Sequence, residues 1–196
     1  MLDTLIDLSE EENVEDLKNS KVVEHLLSAQ KQLHSHWNGQ WQSYYTTQSA
    51  FETFRLRPVV PLLLPRKAET DVEIGGYIVP KGAQVLVNIW AIGRDPSIWD
   101  NPNSFMPERF LGSDNQIDDM GNNFELIPFG GGRRICPGSP LAMRMLHLML
   151  GSLINCFDWK LEDGVLPETM NLEDKFSISL QMAQPLKAVP KEIVME

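Results

Sequence analysis

The residues best equipped for chemistry lie in one short stretch, Pro128-Phe129-Gly130-Gly131-Gly132-Arg133-Arg134-Ile135-Cys136-Pro137-Gly138. Ser139 offers an N-cap after it and Pro140 a first helical position, so Cys136 is expected at the head of a helix. A helix N-terminus favours the thiolate through its dipole and free N–H groups, and the thiolate is the form that binds metal. Gly130, Gly131, Gly132 and Gly138 let the backbone approach a flat macrocycle and adopt turns closed to other residues. Phe129 can shield the sulfur from water, and Arg134 can pair with a carboxylate through charge-assisted hydrogen bonds. The stretch therefore supplies an anchor, a shield and a charge clamp. Two other readings compete: a phosphate loop, whose Gly-Lys-Ser/Thr ending is missing here, and a buried structural cysteine after a glycine turn.

Elements on both sides must position this loop. The text from Ser139 to about Phe157 predicts a helix with apolar residues on nearly every face, including Leu141, Met143, Met145, Leu148, Met149, Leu153 and Ile154. Such a helix should be buried all round, with Cys156 as a core residue. Upstream, Glu52 and Arg55 stand three apart on one face of a short helix that follows Ala50 and ends at Leu56 before Pro58 and Pro61. A pair so spaced is ordinarily a surface ion pair of little worth. Strands are expected over 72–74 and 77–79 around Gly75-Gly76, then over 84–89 after the turn Pro80-Lys81-Gly82, making a small antiparallel sheet. Residues 95–127, rich in Pro and Gly, predict a long ordered meander of the kind that serves a site. The alternation Phe176-Ser177-Ile178-Ser179-Leu180 reads as strand. Residues 1–33 read as two short packing helices. The polar and aromatic 34–49 text carries no helical period, and within it His34 and His36 have the spacing of a metal pair but are more often surface residues.

The bulk numbers narrow the classes. With 196 residues, 42% hydrophobic and 22% charged, the chain can bury a core as one domain. A net charge of -10 argues against nucleic-acid binding. Two cysteines without a C-x-x-C pair indicate neither a disulfide framework nor a zinc site, and a reducing compartment fits them. No stretch reaches the roughly 20 apolar residues of a membrane span, and Met1 leads into acidic text rather than a targeting signal.

Phe129, Gly132, Arg134, Cys136 and Gly138 satisfy F-x-x-G-x-R-x-C-x-G, and on them the chain resembles the cytochrome P-450 superfamily, in wording closest to the plant branch that hydroxylates terpenoids. The resemblance implies a mixed, mainly α fold with small antiparallel β-sheets, here the carboxy-terminal part of the cytochrome P-450 fold. It implies Cys136 as catalytic residue and iron ligand of haem b (iron protoporphyrin IX), held also by Phe129, Gly132, Arg134, Gly138 and Arg66, the arginines contacting propionates. Glu52 and Arg55, joined by Arg109 of Pro107-Glu108-Arg109-Phe110, resemble the family's Glu-Arg-Arg triad, a structural network behind the haem. Val59, Val60, Leu62 and Leu63, with Phe176 and Ile178, correspond to segments on the substrate side. The implied partners are a small lipophilic substrate and a flavoprotein reductase passing electrons from NADPH. The family's place is the cytosolic face of the endoplasmic-reticulum membrane; without an anchor, this chain would be cytoplasmic.

The resemblance is close from about residue 51 to 190. The text of the family's oxygen-activating central helix is absent, which suggests a fragment: residues 1–49 as an atypical, truncated or mis-spliced segment, and residues 50–196 as the haem-binding part. Three functions are compatible with that reading: a monooxygenase, a non-catalytic remnant that binds haem or the reductase near Arg133, and an interaction module with an incidental cysteine loop.

Overall fold

The computed structural model describes residues 39–111, 123–162, 165–166, 170–171, 173–175 and 177–193. The expectations for residues 1–38, the histidine pair among them, and for Phe176 lie outside the described residues.

The first described helix, α1, spans Gly39–Leu56. The sequence predicts a helix only after Ala50, so the observed element is longer than expected. Its sequence has little amphipathic pattern, and tertiary packing sustains it: Gln48, Ser49 and Ala50 are buried, and the Thr47 hydroxyl lies 2.8 Å from His147 Nε2 on a later helix. Its end follows the sequence. Arg57 N closes the last turn on Thr53 O at 2.7 Å, and Pro58 then disfavours helical backbone in the residue before it.

Among the described residues, four two-stranded antiparallel sheets follow. β2 (Val72–Ile74) and β3 (Tyr77–Val79) pair in the register Ile74 with Tyr77. Gly75 and Gly76 turn the chain between them at φ +59° and +84°, the positive angles that a two-residue hairpin turn of this hand requires. The strand expected over 84–89 is shorter. β4 is Gln84–Val85, and it pairs with β1 (Arg66–Lys67) rather than with β3. Helix α2 (Ile89–Ile92) begins where strand was expected, because Asn88 caps it, accepting from Ala91 N at 3.0 Å. Ile89 N also donates to Pro61 O at 2.9 Å, which ties α2 to the segment leaving α1.

The meander is ordered as expected in its described parts, with a 3-10 turn over Pro107–Phe110. It carries the core. Trp99, Phe110 and Leu126 cluster with Phe51 and Phe54 of α1, and Phe110 packs at 5.8 Å from the ring of Phe51 and 5.9 Å from Trp99, separations at which tilted aromatic pairs attract.

Helix α3 spans Ser139–Cys156. It is not buried all round. Ser139, Met143 and Ile154 are buried, whereas Leu141, Met145, Leu148, Met149, Leu153 and Cys156 are exposed. Among the described residues α3 packs chiefly against α1 and the strand that follows it, β5 (Phe157–Leu161); an apolar circumference records a capacity for burial, and here neighbours occupy one side. Its cap also differs from expectation. Gly138 takes the cap position without a side-chain bond, and Ser139 is the first helical residue.

At the carboxy-terminal end β5 (Phe157–Leu161) pairs with β8 (Ala188–Glu192) and β6 (Asp174–Lys175) with β7 (Gln181–Met182). The alternating text read as strand is instead the bend between β6 and β7. Ser177 accounts for it: its hydroxyl donates to Ser179 O at 3.0 Å and accepts from Ser179 N at 3.3 Å, a local bond that competes with ladder pairing.

Candidate functional site

The cysteine loop is closed by its own backbone. Gly130 N donates to Ile127 O at 2.9 Å, Ile135 N to Gly132 O at 3.1 Å and Cys136 N to Phe129 O at 3.0 Å. A 3-10 turn over Gly132–Arg134 forms the middle. Gly130 and Gly132 take φ +75° and +64°, left-handed values that penalise any Cβ. The loop delivers Cys136 three residues before the first turn of α3, with Ser139 N on Cys136 O at 3.2 Å. Cys136 is an exposed free thiol. A Cβ placed on Gly132 would meet nothing within 4 Å, and one on Gly138 would lie 3.7 Å from the Cys136 sulfur.

Around the loop, Phe129 meets Phe54 of α1 edge-on at 5.6 Å. Arg133 and Arg134 are exposed, and Arg66 from β1 reaches Arg134 O at 3.4 Å, so Arg66 and Arg134 stand at one rim. Leu63 Cδ1 lies 3.8 Å from the position of a Cβ on Gly130. An exposed thiol, open space beside the Gly132 backbone and the Arg66 guanidinium against the exposed Arg134 form a donor set that fits a flat iron macrocycle bearing carboxylate arms.

Glu52, Arg55 and Arg109 come together. Glu52 is fully buried and Arg55 1% exposed. Arg55 Nε donates to Glu52 Oε2 at 2.7 Å and Nη2 to Oε1 at 2.8 Å; Arg109 Nε and Met106 N reach the same Oε1 at 3.2 and 2.8 Å. Further guanidinium bonds go to carbonyls: Arg55 to Gly93, Pro102 and Ser104, Arg109 to Asp100, Asn101 and Ser104. Both guanidiniums also face Trp99, at 5.3 and 5.9 Å from its ring centre, within cation–π reach. Such a network holds the meander to α1 rather than reacting. It sits directly behind the loop, because Phe51 and Phe54 flank Glu52 and Phe54 supports Phe129.

Of the apolar residues expected on the substrate side, Val59 is exposed and Val60, Leu62 and Leu63 are half-buried. Ile178, 85% exposed, occupies the β6–β7 bend. Leu180 N donates to Val59 O at 2.8 Å, so the two segments are neighbours.

Three features escape sequence reasoning. His147 bridges α3 to α1: a carbonyl only accepts, so Nδ1–H donates to Met143 O at 2.7 Å and Nε2 accepts from Thr47 Oγ1 at 2.8 Å. Arg94 Nη2 donates to Leu56 O at 2.6 Å, with its guanidinium 4.0 Å from the Trp90 ring centre. Burial, then Arg57 and Arg55 nearby, push the Arg94 pKa well below the ordinary arginine value, to about 9, opposed by Asp174. Arg57 also pairs with Asp174 across the sequence. Only the Arg-Asp-Pro text at 94–96 offered any signal of these.

Residues 22–186 match the family model described as cytochrome P-450. The chain is 61% identical over 138 residues to geraniol 8-hydroxylase of Swertia mussotii, covering 70% of this chain and 28% of that protein. It is 56% identical over 150 residues to drimenol monooxygenase of Persicaria hydropiper, covering 76% and 29%. A zebra fish cytochrome P-450 solved with progesterone superimposes with a TM-score of 0.67 at 30% identity, over 89% of this chain and 40% of that one. The chain thus spans less than a third of the length of the curated relatives it matches. With a family model across most of its length, and a thiol presented at a helix head by a glycine-bent loop, the chain belongs to the cytochrome P-450 family.

Proposed function

We propose that this chain is the haem-binding part of a haem-thiolate monooxygenase that hydroxylates a small lipophilic substrate of the terpenoid class, with Cys136 as the iron ligand. The observation that carries the reading is the exposed Cys136 thiol at the head of α3, in a loop whose two left-handed glycines leave one side open. Bound haem b would supply activation of O2 with electrons passed from NADPH by a flavoprotein reductase, thiolate ligation favouring O–O cleavage. Arg134 and Arg66 take the propionates, Phe129 covers the sulfur, and Gly132 and Gly138 keep the backbone close. Glu52, Arg55 and Arg109 fix the meander behind the loop. Val59, Val60, Leu62, Leu63, Phe176 and Ile178 face the substrate, which suits a terpene such as those named in the relatives geraniol 8-hydroxylase and drimenol monooxygenase. The whole protein would work at the cytosolic face of the endoplasmic reticulum; among the described residues no helix is long and apolar enough to cross a membrane.

A second reading, a non-catalytic chain that binds haem or the reductase, is favoured by the exposed apolar side of α3, where Leu141 and Leu148 are 66% and 64% exposed. One experiment separates the two. The chain is loaded with haem, reduced and exposed to CO, and the Soret band is recorded before NADPH-driven turnover with a reductase is assayed. A red-shifted thiolate band that Cys136→Ala removes supports haem–thiolate ligation. Turnover then selects the enzyme, and a thiolate band without turnover selects the second reading. A band that survives Cys136→Ala overturns Cys136 as the iron ligand.

A further inference from the structure

From the chain leaving α1 and the β6–β7 hairpin, we infer a latch: the Arg57–Asp174 ion pair holds the bend at Ile178 over residues 59–63, so that Arg57 and Asp174 set how a small lipophilic ligand is gripped between them. The role in gripping rests on the proposed function above; the latch itself does not.

The hairpin is attached on both legs. On the first, Asp174 Oδ2 accepts from Arg57 Nη1. On the second, Leu180 N donates to Val59 O at 2.8 Å. Asp174 and Leu180 lie on opposite sides of the bend, and the register Asp174 with Met182 and Lys175 with Gln181 links the legs to each other. Two attachments on opposite legs fix both the height and the rotation of a bend, whereas one would leave it free to pivot. The Ser177–Ser179 bonds make the bend itself stiff.

The other jaw is rigid too. Pro58 is fully buried; Leu63 N closes a turn on Val60 O at 3.0 Å, and Leu63 takes a left-handed φ of +49°. Leu63 in turn abuts Gly130 of the cysteine loop. A shift of the hairpin is therefore a shift relative to the sulfur, not of a loose surface flap.

The pair differs from an ordinary surface contact. Its side chains are 30% and 29% exposed, so water screens them incompletely. Arg55, Arg57 and Arg94 gather at the end of α1, and the Asp174 carboxylate opposes the repulsion felt by Arg94. Asp174 is thus drawn to a fixed cationic corner, which gives the hairpin one preferred seat.

The test uses the full chain, with Arg57→Met, Asp174→Asn and the exchanged pair Arg57→Asp with Asp174→Arg. Two readings need no haem: hydrogen exchange at the Leu180 amide, and NMR titration of the Val59 and Ile178 methyls with an acyclic ten-carbon terpene alcohol. Each single variant is expected to exchange at Leu180 at least tenfold faster and to bind the alcohol at least threefold more weakly at those methyls, with both effects largely restored in the exchanged pair. Unchanged exchange overturns the latch. Faster exchange with unaltered methyl titration, or single-variant losses that the exchanged pair fails to restore, overturns the assigned role. Absence of a thiolate Soret band in the wild-type chain would instead sink the proposed function and the gripping role with it, leaving exchange at Leu180 to decide the latch.

Discussion

Replacing Glu52 by Gln tests whether the ionic centre holds the meander to α1. The carboxylate receives four hydrogen bonds, three at Oε1 and one at Oε2. A glutamine would place its carbonyl at the Oε1 position to keep the three, which aims its NH2 at Arg55 Nε–H, donor against donor. It would also leave two guanidiniums without their shared countercharge at a site with no solvent access. Breaking a buried pair in this way costs about 3–5 kcal/mol. With a urea slope of about 2 kcal/mol per molar, the unfolding midpoint should fall by about 2 M, read by circular dichroism and tryptophan emission. Trp99 lies against both guanidiniums and should report the same transition. Glu52→Ala leaves the same charges unpaired and opens a cavity, so haem should no longer be retained. A midpoint shift below about 0.5 M would place the cluster among surface pairs worth about 0–1 kcal/mol, and so would effects of Glu52→Gln and Arg109→Gln that simply add in the double variant. Normal haem content in Glu52→Ala would contradict the proposed role of the cluster.

Gly130→Ala should lower stability by about 1–2 kcal/mol through its left-handed backbone alone, since the new methyl meets only Leu63 at ordinary contact distance; the urea midpoint measures it, and an unchanged midpoint would mean that the loop relaxes freely. Asp95 has its pKa lowered from the ordinary 3.8 by hydrogen bonds from the Ser97 hydroxyl and amide. A carboxyl depressed in the folded state contributes stability above its unfolded pKa and loses it as pH falls through the folded one. The Ser97 amide resonance should therefore titrate with a midpoint below 3.8, and Asp95→Asn should abolish the step; a midpoint at or above 3.8 would refute the turn's role.

What the sequence made legible follows from how local each cause is. The cysteine loop could be read because its parts are adjacent, the glycines bending backbone that ends at the helix bearing the sulfur. The hairpin at Gly75-Gly76 was legible for the same reason. Glu52 and Arg55 could be paired from helical spacing, but their other acceptors could not, because Gly93, Pro102 and Ser104 offer backbone carbonyls that every residue possesses. The amino-terminal half of α1 stayed hidden because its support lies a hundred residues away, in His147. The strand that became α2 failed on one residue, Asn88, whose capping oxygen outweighs the β-propensity of the text around it. For α3, sequence gave the element and its ends to within a residue, yet the burial of each face depends on neighbours that periodicity cannot name.

The distribution of burial explains why the ionic centre matters more here than an apolar one would. The largest fully buried side chains are Arg55, Glu52, Pro58 and Pro107, so the most enclosed point of the described fold is a charge cluster flanked by prolines. An apolar cluster of equal volume could match its stability, since desolvation of buried ions offsets much of their attraction. It could not match its geometry. The two guanidiniums bond to particular carbonyls and to the Glu52 carboxylate, so the meander can seat on α1 in a single register, and the cysteine loop inherits that register through Phe54 and Phe129. Under the proposed haem ligation, the Cys136 sulfur would need a defined position against a rigid planar group more than it needs added stability. On this reasoning, the buried charges are explained by where they hold residue 136, and their cost in desolvation is the consequence of that constraint.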